Sequence, residues 1–129
     1  MNLSFPAKDI DEDKLALMKE FLTKIVNKKN QMIAYEYDYF PDAFSNRIEL
    51  YNDFDLLEMI IGETLNSKYR QVNNNYVCDN LIDYPALTII NMLNITNRLK
   101  CLIKNNINLN LLIDRYIIEI TEELELCKK

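Results

Sequence analysis

Histidine is absent from this sequence, and glycine occurs once in 129 residues. Without histidine there is no Ser-His or Cys-His nucleophile pair and no His-containing zinc site. A single glycine cannot form a Gly-rich phosphate loop, which excludes P-loop and Rossmann nucleotide sites. The same scarcity, with only three prolines, speaks against a strand-rich domain, because tight turns between strands consume glycine. Cysteine is sparse as well. Cys78, Cys101 and Cys127 are odd in number and widely spaced, so neither a disulfide scaffold nor a metal site is indicated. They read as reduced thiols serving mostly as packing groups. Asp79 beside Cys78 works against an activated thiol, since a neighbouring anion raises its pKa. The opening residues, MNLSFPAK, lack the basic and apolar regions of a signal peptide. No apolar run approaches the length of a membrane span. These absences lead to the expectation of an intracellular, cytoplasmic protein.

What is present describes one globular domain spanning residues 1–129. Apolar residues make up 49% and charged residues 27%, the balance of a folded chain rather than a disordered one. The length is enough to bury a continuous core. Asparagine (17) and isoleucine (16) far outnumber alanine (5), which reads as an AT-rich genome, bacterial, phage or large DNA virus. The asparagines therefore carry no functional reading.

Hydrophobic spacing predicts an all-α fold, a compact bundle of four to six helices. Leu15, Met18, Phe21, Leu22, Ile25 and Val26 recur at three and four, one face of a helix that Asp11 can cap and Ile10 can staple onto Leu15. A second helix is expected to open at Asn52 or Asp53, with Asp53, Asp55 and Glu58 favoured by its dipole and Leu57, Ile60, Ile61 and Leu65 buried. Gly62 inside it suggests a neighbouring helix crossing closely. A third helix, 85–104 with Pro85 in its first turn, is apolar almost all round, from Leu87, Ile89 and Ile90 to Leu102 and Ile103. Only a stripe through Asn91, Asn94 and Arg98 is polar, which places this helix at the centre of the bundle. The last helix, about Asn110 to Leu126, buries Leu112, Ile113, Tyr116, Ile117, Ile120 and Leu124 and shows Glu119, Glu122, Glu123 and Glu125 to solvent. Residues 31–41 fit either a short strand or an irregular helical segment, ended by Pro41. Residues 67–80 read as a loop.

Charge is distributed unevenly. Residues 30–67 hold eight acids, Glu36, Asp38, Asp42, Glu49, Asp53, Asp55, Glu58 and Glu63, against Arg47 alone, a net of −7. Residues 1–29 and 68–129 are each +1, so the chain's net −5 is confined to its second quarter. With pI about 4.8, nucleic acid is disfavoured as a direct partner. The acidic quarter also contains seven of the thirteen aromatics, densest in AYEYDYFPDAF (34–44). Tyrosines supply large contact area at low entropic cost, and carboxylates steer a basic partner. Tyr35, Glu36, Tyr37, Asp38, Tyr39 and Asp42 are the candidate partner-binding residues, with both Glu36 and Asp38 expected at the surface. No catalytic, cofactor or metal residues are assigned, and carboxylates in the opening turn of a helix serve capping first.

Residues 60–69, IIGETLNSKY, resemble the short death-motif helix by which apoptosis regulators engage one another. Ile61, Gly62, Glu63 and Leu65 match its hydrophobe, small residue, acid and next hydrophobe. The motif's anchoring leucine, four before the glycine, falls on Glu58, so the ten-residue likeness assigns no partner. The expectation from the residues is a non-enzymatic acidic protein that masks a basic surface of another protein. An immunity protein or antitoxin neutralising a toxin such as a nuclease is the leading reading. A virus- or phage-encoded helical inhibitor of a host defence or signalling protein is the alternative.

Overall fold

The structure is a computed structural model and describes residues 11–41, 46–70 and 74–126. It is an all-helical bundle, with no strand among the described residues. Helix α1, Glu12–Lys28, starts where Asp11 accepts the backbone N–H groups of Asp13 (2.9 Å) and Lys14 (3.3 Å). It buries Leu15, Met18, Phe21, Leu22 and Ile25. Ile10 and its expected staple lie outside the described residues. The chain then turns at Lys29, whose φ of 54° is uncommon for a side-chain-bearing residue. The Lys29 amine donates to the Val26 carbonyl at 2.9 Å and helps close this end of α1.

Residues 31–41 form neither a strand nor a regular α-helix. A 3-10 segment, Lys29–Tyr35, leads into the single turn α2, Glu36–Tyr39. Helix α3, Arg47–Arg70, begins six residues ahead of Asp53, with Asn46 Oδ1 accepting the Glu49 N–H at 3.0 Å. Asp53 is thus an interior helical position and is buried. The stretch expected as a loop carries the end of α3 and a short helix α4, Asp79–Ile82. Helix α5 is Ala86–Ile103, with Pro85 at its N-cap, and α6 is Leu109–Leu126.

Helix α5 is central. On one flank Lys100 and Asn97 reach Glu58 of α3. On the other, Asn91 meets Glu123 and Arg98 meets Glu119 of α6, so α5 and α6 run antiparallel. Its apolar circumference is narrower than the sequence suggests. Leu87 and Ile90 are exposed, while Thr88, Thr96 and Lys100 are buried. Thr96 and Lys100 are satisfied where they turn inward. Thr96 donates to the Met92 carbonyl at 2.8 Å, which leaves Tyr116 O–H to donate to Thr96 Oγ1 at 2.8 Å.

Tyr116 is completely buried and sits in an aromatic core with Phe21, Tyr39, Phe40 and Phe54. Ring centroids are 4.7 Å apart for Phe54–Tyr116 and 5.1 Å for Phe21–Phe40. Among the described residues no neighbouring helix crosses closely at Gly62, because a Cβ built there meets nothing within 4 Å. Ile61 and Thr64 on the same helix face inward and are buried. Cys78 is buried, as a packing thiol should be, whereas Cys101 is exposed and Cys127 lies outside the described residues. No helix among the described residues is long and apolar enough to cross a membrane.

Candidate partner-binding surface

The 3-10 segment and α2 divide the candidate residues into two sets. Tyr39 and Phe40 turn inward onto Phe21, with the Tyr39 ring centroid 5.7 Å from that of Phe21. The Tyr39 hydroxyl donates to Glu20 Oε2 at 3.1 Å. Burial first, then the Glu20 carboxylate, pushes its pKa up to about 12. Tyr39 is therefore an anchor of the core edge rather than a contact residue. Glu36 is also buried, at 6% exposure, and its Oε2 has no hydrogen-bond partner among the described residues. That corrects the expectation of a surface carboxylate. A one-turn helix cannot keep alternate residues on one face, so Glu36 and Tyr39, three apart, point inward together while Tyr35, Tyr37 and Asp38 point out.

The outward set forms a small ledge. Tyr37 is 59% exposed, Tyr35 somewhat less, and Asp38 is exposed. The Lys28 amine lies 5.5 Å above the Tyr35 ring centroid, a cation–π contact that holds the ring. Lys28 was legible only as the polar end of α1, since its contact depends on the turn at Lys29. Asp42 lies outside the described residues.

The acids of residues 30–67 do not pool into one field. Glu49 and Asp53 both pair with Lys14 of α1, at 3.5 and 3.2 Å. Asp55 and Glu58 both pair with Lys100 of α5, at 2.7 and 2.6 Å. Lys100 also lies 5.4 Å from the Tyr51 ring centroid. Burial disfavours the charged forms of Lys14 and Lys100, and the carboxylates outweigh it, so both amines stand above their ordinary pKa. Glu63 accepts from Asn74 at 3.1 Å. Four of the eight acids are thus matched by two lysines from the flanking segments, and a fifth is buried. On the ledge, Asp38 is the exposed carboxylate among the described residues.

The geometry defines an all-helical protein with a small tyrosine ledge backed by an aromatic core. Comparison with known proteins finds no matching family model, no matching curated relative and no matching solved structure.

Proposed function

We propose that this chain is a non-enzymatic binding protein that meets a basic protein through Tyr35, Tyr37 and Asp38. The observation that carries this reading is the split of residues 35–40. Two tyrosines are held at the surface by a turn whose other aromatics, Tyr39 and Phe40, are locked in the core. Pre-ordered tyrosines lose little entropy on binding, which is what a hot-spot residue needs. The internal pairing of the α3 acids shifts weight from long-range steering to direct contact, with Asp38 supplying the local charge. An immunity protein or antitoxin covering a basic toxin such as a nuclease is the setting that fits best. The Asn- and Ile-rich composition suits a virus- or phage-encoded inhibitor of a host protein as the second setting.

Affinity capture from the native host identifies the partner, and binding kinetics test the surface. Tyr37→Ala should weaken binding by about 2 kcal/mol or more, mostly through faster dissociation. Asp38→Asn should slow association and flatten its salt dependence. If both variants stay folded and both rate constants are unchanged, the ledge is not the interface.

A further inference from the structure

The outer face of α6 carries a stripe of alternating apolar and charged side chains. Leu111, Arg115, Ile118, Glu122 and Leu126 fall within about 80° of arc at 3.6 residues per turn. Leu111 is 62% exposed, Ile118 39% and Leu126 78%. Arg115 and Glu122 are exposed as well. Single exposed aliphatics are ordinary on a protein surface. Their order here is not. Outward from Ile118, the stripe runs through Arg115 to Leu111 in one direction and through Glu122 to Leu126 in the other.

An isologous contact needs a surface that complements itself, because residue i meets j and j meets i about a two-fold axis. Two α6 helices laid antiparallel, with the axis beside Ile118, meet that requirement. Leu111 of each copy lies opposite Leu126 of the other. Arg115 lies opposite Glu122, twice. The two Ile118 side chains straddle the axis. The stripe from Leu111 to Leu126 is about 22 Å long at 1.5 Å per residue, four turns of contact. Arg115 already donates its Nε–H to Glu119 of its own helix at 2.7 Å. The guanidinium carries further N–H donors that can point to a second carboxylate.

We propose that this chain self-associates, two copies packing α6 against α6 antiparallel around Ile118, with reciprocal Arg115–Glu122 ion pairs. The occupant of the face is a second copy because the charge order is complementary to itself. A partner of one sign would meet like charge at either Arg115 or Glu122.

Sedimentation velocity across a concentration series tests this on the full chain. The wild type should pass from the 15.3 kDa monomer to twice that mass as concentration rises. Arg115→Glu alone sets acid against acid at both reciprocal positions, and Glu122→Arg alone sets base against base. Each should weaken self-association by about tenfold or more. Mixing the two single variants should restore dimers, since each chain then presents one sign to the other. The loss of the Arg115–Glu119 pair in one chain cannot produce that restoration. Ile118→Lys provides a second disruption at a half-exposed position, with circular dichroism reporting the retained helix. A wild type that stays monomeric throughout overturns the proposal. So do dimers indifferent to the swaps and to Ile118→Lys, and a mixture of folded single variants that does not associate.

Discussion

Gly62 sits in the middle of α3, in ordinary helical geometry, with open space where its side chain would be. Nothing in the packing of the described residues requires glycine there, and glycine costs a helix about 1 kcal/mol relative to alanine. Gly62→Ala should therefore raise stability by about 1 kcal/mol, read as a higher urea midpoint with an unchanged slope. A lower midpoint would show that the helix depends on glycine for a reason its contacts do not contain. Glu36 is the opposite case, a residue whose burial no residue-level pattern announces. Alternation of acids and tyrosines from 35 to 39 reads as a solvated face until the turn is known. Once the chain is a 3-10 segment followed by a single helical turn, positions 36 and 39 share the inner side.

Arg47 shows what an element contributes that a residue count does not. In sequence it is the lone base of the acidic quarter. In the structure it opens α3 and spans the connection between α5 and α6. Its Nη1 donates to the carbonyls of Ile103 and Asn105, each at 2.6 Å, and its Nη2 to that of Ile107 at 3.0 Å. Carbonyls at a helix C-terminus have no N–H of their own helix to accept from. The Ile103 carbonyl ends α5 and the other two lie in the connection that follows, so one planar guanidinium ties α3 to the end of α5 and to the turn before α6. Hydrogen bonds to charged groups contribute about 1.5–3 kcal/mol. Arg47→Ala should lower stability by about 2–3 kcal/mol in urea unfolding. Arg47→Lys should recover less than half of that, because a lysine amine keeps the charge without the fork. Equal stability of the lysine variant and wild type would mean that charge alone holds the connection.

At the scale of the molecule, the groups among the described residues whose titration burial and pairing visibly shift lie mostly on the alkaline side. Burial raises the Cys78 thiol above its ordinary 9.0 and the Tyr116 phenol above 10.0, and it pushes Tyr39, with Glu20, to about 12. Burial opposes the charge of Lys100, but Asp55 and Glu58 reverse this and hold its pKa above 10.5. All four have folded values above their unfolded ones. Their contribution is whole below about pH 9 and is lost as pH rises through the folded values. Glu119 has the opposite sign. Burial raises its pKa, the hydrogen bonds from Arg115 and Arg98 outweigh that, and the net is a value below the ordinary 4.5. Its contribution is whole above the ordinary 4.5 and is lost as pH falls through the lower folded value. The urea midpoint should be level from about pH 5 to 9, then fall as pH rises through 9 to 12. A midpoint still rising above pH 10 would contradict the burial of Tyr116 and the pairing of Lys100.

The sequence alone determined the helical class, the central place of 85–104 and the extent of the last helix. Those follow from local periodicity and from the near absence of glycine, and a run such as Leu112 to Leu124 leaves one face to bury whatever its neighbours are. Only the tertiary structure decided where the charge goes. Residues 30–67 are acidic as a segment, yet Glu49 and Asp53 close on Lys14, and Asp55 and Glu58 on Lys100, partners 35 to 45 positions away along the chain. The same holds within AYEYDYF, where Tyr37 faces out and Tyr39 faces in because Phe21 of α1 offers Tyr39 an aromatic neighbour. Periodicity is a property of one helix and can be read along it. Pairing and burial are properties of two elements meeting, and a linear pattern does not contain the second surface.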